Sequence, residues 1–163
     1  MRRKMIVQGI MLGLVAAVCA GSALAATTHA ASKKAGSVAI TTRKDGKLGT
    51  ILVNSKGYTL YMFVPDKDKK VTCFSSCAAI WPPVFLSAGE KAVASGNAES
   101  KLLGSDPDSA GGRVVTYAGW PLYTYIADTK PGMVSGQAIN LNGGLWYVLS
   151  ASGKVIKTKA EVS

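Results

Sequence analysis

Apolar and polar side chains alternate in short runs along most of the chain, a pattern typical of half-buried β-strands. Turn-forming residues, above all glycine, separate these runs. The pattern predicts strands over 38–42, 51–53, 58–63, 113–117, 120–126, 145–149 and 155–157. Helix signals are sparse, so we expect only short helices over 77–81 and 99–103, with a linker over 104–112.

The turns between these strands predict four hairpins. Asp45-Gly46 lies in the first turn, and Gly57 ends the second, where a positive φ suits glycine. Ala118-Gly119 forms the third turn, and Pro121 marks the following strand as an edge or as a strand beginning. Ser152-Gly153 forms the fourth turn.

One motif occurs twice, at Tyr61-Met62-Phe63-Val64-Pro65-Asp66 and at Tyr123-Thr124-Tyr125-Ile126-Ala127-Asp128. Both copies read Tyr-x-aromatic-x-x-Asp after a Gly-x-x-Leu, and matched positions are offset by 62 residues (123 − 61). This shared offset indicates a duplicated structural unit. A tryptophan follows each copy, Trp81 and then Trp146. We therefore expect one small, mainly β, antiparallel domain over 38–163, sandwich or barrel-like, with related hairpin-containing repeats at about 48–83 and 113–149.

The aromatic residues of the motif have two interpretations. Because strand side chains alternate between faces, Tyr61 and Phe63 share one face and aliphatic residues occupy the other. The same holds for Tyr123 and Tyr125 in the second copy. The aromatic face is either packed inside the domain or a platform for a ring-shaped or sugar ligand. Packing is favoured, because aromatic side chains supply much of the buried area of a small β domain.

The aspartate that ends each copy, Asp66 or Asp128, also has two interpretations. Both begin segments typical of turns, in which an aspartate accepts hydrogen bonds from backbone amides two residues on. Alternatively the two carboxylates form a catalytic pair of the kind that glycosidases use. The turns are favoured, because nothing in the sequence sets the separation of the two carboxylates.

The first 25 residues have the features of a signal peptide. Three basic residues over 2–4 precede a mostly apolar stretch over 5–20, and Ala23-Leu24-Ala25 is a typical cleavage site. Cleavage there, or less typically after Ala30, leaves a flexible tether over 26–37. The sequence thus predicts an exported protein, periplasmic or secreted, with no stable membrane span after the leader is removed.

Two cysteines remain after export, because Cys19 lies in the leader and the residues before it fit a lipoprotein cleavage site poorly. An even number in an oxidising compartment predicts a disulfide between Cys73 and Cys77. Their spacing brings the Cα atoms roughly 6 Å apart on one helical turn, which a disulfide accepts. The alternative is a redox or metal-handling site at these sulfurs, joined by Met62 and Met133 if the fold brings them together.

The inventory of side chains excludes most catalytic sites. The single histidine, His29, lies in the tether, so the domain has neither a Ser-His-Asp triad nor a histidine-ligated metal. No glycine-rich phosphate loop precedes a helix, and the Cys-x-x-Cys of thioredoxin-like enzymes is absent. We expect a non-catalytic protein without a metal or another cofactor.

The chain is strongly basic, with a net charge of +10. Removing the three basic residues of the leader from the 19 in the chain leaves 16 Lys and Arg against 9 Asp and Glu. Such a balance favours anionic envelope components or another exported protein as partners, whereas nucleic acid does not suit an exported protein. The charges are scattered, with small clusters at Lys67/Lys69/Lys70 and Lys154/Lys157/Lys159. A solvated surface that aids solubility is the simpler interpretation.

The two motifs resemble those of a bacterial family of predicted lipoproteins named for its Yx(FWY)xxD motif, the secreted repeat of unknown function. The likeness spans about 48–153 and rests on the segments 48–53, 73–83, 115–123, 136–137 and 143–148. Two positions depart from the family pattern: the poor lipidation site at Cys19, and Trp120, where relatives often carry a polar residue such as His. The resemblance implies an exported protein of unknown biochemical activity.

Overall fold

The computed structural model describes residues 36–67 and 70–159, which belong to the unit Lys34–Ser163. The predicted signal peptide, most of the tether, Cys19 and His29 lie outside the described residues. The strands are β1 (Ser37–Asp45), β2 (Gly49–Asn54), β3 (Tyr61–Phe63), β4 (Phe85–Leu86), β5 (Lys91–Ala94), β6 (Leu103–Pro107), β7 (Arg113–Tyr117), β8 (Trp120–Pro121), β9 (Ile139–Leu141), β10 (Gly144–Leu149) and β11 (Val155–Ile156). The predicted mainly β class is confirmed.

Helical structure is short, as the sequence predicts. The α-helix α1 covers Ser76–Ile80, and 3₁₀ turns cover Val64–Asp66 and Ser100–Leu102. Pro82-Pro83 follows α1 and prevents its continuation. Within the described ranges, no helix has the length and apolar character needed to cross a membrane.

The first sheet has the strand order β2-β1-β5. β1 and β2 form the predicted antiparallel hairpin, with a register from Ile40↔Asn54 to Asp45↔Gly49. β5 runs parallel to β1, from Ser37↔Lys91 to Ile40↔Ala94, so one pairing departs from the expected antiparallel pattern. A parallel pair needs a long connection, and here the rest of the first copy supplies it.

The second and third sheets pair the two copies with each other. In the second sheet, of order β11-β10-β3 with β9 also on β10, β3 of the first copy pairs with β10 of the second. This register places Phe63 opposite Trp146. In the third sheet, of order β4-β7-β6 with β8 on β7, Phe85 lies opposite Val114. Each of these two sheets contains strands of both copies, so the two copies form one structure.

Two predicted hairpins are shorter than expected. The turn through Gly57 forms with a φ of 81°, but β3 then pairs with β10 and not with β2. The strand expected over 120–126 ends at Pro121, because Tyr123 donates its backbone N–H to the carbonyl of Tyr61 at 2.9 Å. In both cases, pairing with the other copy replaces pairing within the copy.

Four strands, β4, β5, β6 and β9, were not predicted from the sequence. The linker expected over 104–112 is wrong, because β6 occupies most of its first half. Gly104 lies inside β6, where a Cβ would be 2.8 Å from Oγ1 of Thr116, so this glycine permits close strand packing and not a chain break. β9 was missed although Asn142-Gly143, with φ of 56° and 88°, has the residues of a tight two-residue hairpin turn.

Two hydrophobic clusters lie on opposite faces of the motif strands. The aromatic core contains Leu48, Ile51, Tyr61, Phe63, Cys73, Cys77, Trp81, Tyr123, Trp146 and Val148. The aliphatic core contains Ile40, Leu52, Leu60, Met62, Val115, Tyr117, Leu122 and Leu149. The predicted alternation is therefore confirmed at Tyr61 and Phe63 against Leu60 and Met62. Val64 departs from it, since its side chain is exposed.

Candidate functional site

The two motifs meet inside the domain and exchange hydrogen bonds. The backbone N–H of Tyr61 donates to the carbonyl of Tyr123, and that of Tyr123 donates to the carbonyl of Tyr61, each at 2.9 Å. The hydroxyl of Tyr61 donates to Oδ2 of Asp128 at 2.7 Å. The hydroxyl of Tyr123 donates to Oδ2 of Asp66 at 2.5 Å. Each tyrosine thus binds the aspartate of the other copy, and we call these contacts the reciprocal Tyr–Asp pairs.

The second oxygen of each carboxylate is held by the loop that follows its own motif. Oδ1 of Asp66 accepts from the backbone N–H and the hydroxyl of Thr72, at 2.7 and 2.6 Å. Oδ1 of Asp128 accepts from the backbone N–H of Ser135 at 2.9 Å. Among the described residues, the amide donors lie six and seven residues after the aspartate and not two residues after it as predicted, while the amide two residues after Asp66 lies outside the described residues. Each aspartate therefore closes a longer loop.

Burial shifts the pKa of Asp66, Tyr61 and Tyr123 in the reciprocal Tyr–Asp pairs. It raises the pKa of Asp66, while the hydrogen bonds from Thr72 and Tyr123 oppose that rise. Burial, followed by the neighbouring carboxylate, also raises the pKa of Tyr61 and of Tyr123 far above its ordinary value of 10.0. Both phenols are therefore protonated at neutral pH and act as hydrogen-bond donors.

Four rings stack face to face through the aromatic core, and we call them the ring stack. Tyr125 stacks on Trp81 with ring centroids 4.0 Å apart, and Trp81 stacks on Trp146 at 3.8 Å with planes 3° from parallel. Trp146 in turn stacks on Phe63 at 4.2 Å. The arrangement is symmetric, because the tryptophan after each motif packs on the second aromatic residue of the other motif.

The motif tyrosines join the ring stack edge-on. Tyr61 meets Trp81 with ring centroids 5.5 Å apart, and Tyr123 meets Trp146 at 5.2 Å. Edge-to-face contacts at these distances are a favourable arrangement of aromatic rings. Tyr61, Phe63 and Tyr123 are buried, and Tyr125 is half-buried. Most of the aromatic surface that the sequence singled out faces other rings.

Glycine and indole groups complete the aromatic core. A Cβ at Gly136 would lie 2.8 Å from Trp81 and 2.9 Å from Tyr61, so only glycine fits there without a shift. The N–H of Gly136 donates to the hydroxyl of Tyr61 at 3.2 Å. Nε1 of Trp146 donates to the carbonyl of Leu141 at 3.0 Å. Nε1 of Trp81 is buried without a hydrogen-bond partner among the described residues.

Three residues that hold this centre were given no structural role from the sequence: Thr72, Ser135, which acts through its backbone N–H, and Gln137. Gln137 accepts from the backbone N–H of Val148 at 2.8 Å and donates to the carbonyl of Ile156 at 2.7 Å, which ties β10 to β11. A hydroxyl residue follows the aspartate of each copy at nearly the same interval. Alignment of the two copies beyond the motif is the signal that would have identified Thr72 and Ser135.

Cys73 and Cys77 form the predicted disulfide, with Cα atoms 5.2 Å apart. Both lie in the aromatic core, where Cys73 is 0% and Cys77 is 9% exposed. Met62 lies in the aliphatic core, so the fold does not gather it with the two sulfurs. The described residues contain no group of three or more His, Cys, Asp or Glu able to hold a metal ion.

An apolar cleft of about 400 Å³ opens at the surface next to the disulfide loop. One wall is the 70–74 segment, and the other is formed by Pro107, Asp108 and Ser109. Phe74 is 53% exposed there, and Lys70 is exposed as well. We call this feature the Phe74 cleft. In the sequence, Lys70 belongs to a basic cluster, whereas no local pattern assigns Phe74 a role.

Comparison with protein families gives two matches to one family model, described as a secreted repeat of unknown function, over residues 41–85 and 106–150. Together they cover more than half of the chain, and each contains one copy of the motif. No curated protein and no solved structure matches the chain. The resemblance seen in the motifs is thereby confirmed, and the chain belongs to the family of secreted repeats of unknown function.

Proposed function

We propose that this protein is an exported, non-catalytic binding domain of the cell envelope, acting in the periplasm or outside the cell. Its ligand is an anionic polysaccharide of the envelope, bound at the Phe74 cleft. The observation that carries this proposal is an aromatic ring 53% exposed on an apolar cleft, with an exposed lysine beside it. The family's description as secreted agrees with an exported binding domain.

The repeated motif supports the fold in this proposal and takes no part in catalysis. Asp66 and Asp128 are 0% and 4% exposed, and each has hydrogen-bond donors on both oxygens. A glycosidase needs an acid and a carboxylate that both face the sugar between them. Carboxylates buried against tyrosine hydroxyls offer no such face, so a hydrolase role is disfavoured.

The chemistry of the Phe74 cleft suits a sugar that carries negative charge. The Phe74 ring and the apolar surfaces of Val71 and Pro107 match the apolar face of a pyranose. The ammonium group of Lys70, which lines the cleft and is exposed, can pair with a carboxylate or phosphate group of the polymer. The excess of basic over acidic residues attracts such a polymer at low ionic strength.

Calorimetric titration with a polyuronic acid, and with dextran as a neutral polymer, tests this proposal. We expect binding of the polyuronic acid only, weakening as salt is added. Phe74→Ala and Lys70→Gln are each expected to weaken it roughly fivefold, about 1 kcal/mol.

Two matched variants control the titration. Phe85→Ala removes a ring that is 46% exposed but does not line the cleft, and Lys154→Gln removes an exposed charge in the other basic cluster. Both are expected to bind as the unmodified protein does. Equal binding of dextran, or equal losses in the control variants, would contradict a specific site at the Phe74 cleft.

A redox role for Cys73 and Cys77 is the alternative, and the burial of the disulfide argues against it. A disulfide that exchanges with thiols must be accessible to an attacking thiolate. Thiol titration of the protein purified from the periplasm separates the two roles. We expect no reactive thiol before or after mild reductant. Release of two thiols under native conditions would favour the redox role.

A further inference from the structure

We propose that the aromatic core is a relay for single-electron oxidation. The ring stack carries an electron hole (the vacancy left by the lost electron) from the surface into the core, and the reciprocal Tyr–Asp pairs stabilise it there as a tyrosyl radical. The oxidant is a high-potential one-electron acceptor, such as a small inorganic radical or an oxidised metal complex, that reaches the half-buried end of the stack. This activity is independent of ligand binding at the Phe74 cleft and uses other residues.

The ring stack has the geometry that such transfer needs. Its centroid separations of 4.0, 3.8 and 4.2 Å leave no gap between successive rings. Trp81 and Trp146, the two most easily oxidised rings of the stack, lie at its centre with planes 3° from parallel. Because the two indole rings are in van der Waals contact, an electron hole formed on one of them is shared with the other.

The half-buried end of the stack is Tyr125, which lies at the surface next to Ile126, whose side chain is 57% exposed. Tyr125 contacts Trp81 directly at 4.0 Å, while both tryptophans are 0% exposed. An oxidant in solution thus reaches the indoles through Tyr125, because no solvent contact with either buried indole is available in the described residues.

Neither indole has a base that would trap the vacancy. An oxidised tryptophan becomes a neutral radical only when its N–H proton is accepted by a base. Nε1 of Trp81 has no hydrogen-bond partner among the described residues, and Nε1 of Trp146 faces the carbonyl of Leu141, a very weak base. Both rings therefore stay radical cations, which pass the vacancy on.

The motif tyrosines have the base that the indoles lack. Tyr61 contacts Trp81 and donates to Asp128, and Tyr123 contacts Trp146 and donates to Asp66. Burial raises the pKa of both phenols, so neither loses its proton before it is oxidised. Burial also raises the pKa of Asp66, which makes that carboxylate a stronger base than an exposed one.

The transfer balances without any further reactant. The oxidant takes one electron from the stack and leaves a tryptophan radical cation. A motif tyrosine then gives one electron to that cation, while its phenol proton moves to the facing carboxylate. One phenol O–H bond breaks and one carboxyl O–H bond forms. The products are the reduced oxidant, neutral tryptophan, a tyrosyl radical and a protonated aspartate.

Pulse radiolysis of the folded protein with azide radical as the oxidant tests this relay. Trp120→Phe provides the background, because the chain has three tryptophans and only the two stacked ones then remain. We expect the tryptophanyl absorption to decay as the tyrosyl absorption grows, at a rate independent of protein concentration and slower in D₂O. In Tyr61→Phe/Tyr123→Phe, this concentration-independent growth should be lost.

Two further variants separate the relay from a purely structural role. Asp66→Asn/Asp128→Asn keeps every ring and removes the bases, so the tryptophanyl signal should persist and the tyrosyl growth should be lost. Tyr58→Phe/Tyr147→Phe removes two half-buried tyrosines outside the reciprocal pairs and should leave the kinetics unchanged. Near-ultraviolet circular dichroism establishes that each variant is folded, and single-pair variants replace any double variant that is not. Tyrosyl growth that persists in folded variants without the pairs, or that shows no solvent isotope effect, overturns the proposal.

Discussion

The hydroxyl of Tyr61 donates a hydrogen bond to Asp128, and that of Tyr123 donates one to Asp66, so the tyrosine and the aspartate of each motif have partners 67 or 57 positions away. A buried carboxylate without donors is costly, and a charged hydrogen bond offsets much of that cost. At the scale of the residue, each tyrosine therefore makes the burial of the other copy's aspartate tolerable.

Tyr61→Phe is expected to lower the free energy of unfolding by about 1–3 kcal/mol, because Asp128 loses a donor while it stays buried. The double change Tyr61→Phe/Asp128→Asn should cost less than the sum of the two single changes. Urea unfolding of the four proteins measures this cycle. Tyr147→Phe, a half-buried tyrosine outside the pairs, is the control. Strictly additive losses would mean that the hydroxyl and the carboxylate do not interact.

The raised pKa of Asp66 predicts how stability depends on pH. Because the folded pKa lies above the ordinary value of 3.8, the folded protein holds this proton at pH values where the unfolded chain has released it. The stabilisation is complete below about 3.8 and is lost as the pH rises through the folded pKa. Relative to Asp66→Asn, which cannot ionise, the unmodified protein should gain stability on acidification. Denaturant titrations across this range measure the difference, and a difference independent of pH would contradict the prediction.

At the scale of the element, the strand that carries the first motif and the strand that precedes the second motif are too short to be stable alone. β3 has three residues and β8 has two, whereas typical strands have about five or six. Turns precede these strands: Gly57, four residues before β3, and Gly119, directly before β8, adopt φ of 81° and 83°. A residue with a side chain is strained in this conformation, which explains why both Gly-x-x-Leu segments begin with glycine.

Gly57→Ala is expected to destabilise the protein by about 1–2 kcal/mol, because alanine is strained at positive φ. Its Cβ would also lie 3.2 Å from Cβ of Pro131. Gly46→Ala is the matched control, since Gly46 does not have a φ in this region and its Cβ would meet no atom within 4 Å. Thermal unfolding followed by circular dichroism compares the variants. A loss in Gly46→Ala as large as that in Gly57→Ala would remove the argument from positive φ.

Most local elements could be predicted from the sequence, and the errors have a common cause. The β1–β2 hairpin, α1 and the β10–β11 hairpin follow from alternation, turn residues and Pro82-Pro83. A linker was predicted in place of β6 because a glycine such as Gly104 usually interrupts a strand. In the structure, glycine is needed at this position because the side chain of Thr116 approaches it closely. The parallel partner β5 carries no local signal, since its pairing with β1 depends on the path of the intervening chain.

At the scale of the whole molecule, the two copies complete each other. β3 pairs with β10, the ring stack alternates between copies, and both reciprocal Tyr–Asp pairs cross between them. One copy alone would expose its half of the aromatic core and leave its aspartate without the tyrosine hydroxyl. Folding of the two copies should therefore be one cooperative event.

Fragments 36–96 and 97–163 test this cooperativity. The cut falls between β5, which pairs with β1, and β6, which pairs with β7, so the strand pairings that it separates are β3 with β10 and β4 with β7, which join the two copies. Each fragment alone is expected to lack a cooperative thermal transition, and mixing them should restore one together with near-ultraviolet circular dichroism. A fragment that unfolds cooperatively by itself would show that one copy is an independent domain.

The sequence by itself determined the mainly β class, the two faces of the first motif strand, the Cys73–Cys77 disulfide and the family. These follow from a period of two, a spacing of four residues and a repeated motif, all of which can be counted along the chain. Only the tertiary structure decided that Tyr61 meets Asp128, that Trp81 stacks on Trp146, and that Phe74 borders an open cleft. The physical reason is that these contacts join residues far apart in sequence. A local sequence pattern shows that a side chain is buried, but it does not show which distant residue the side chain contacts.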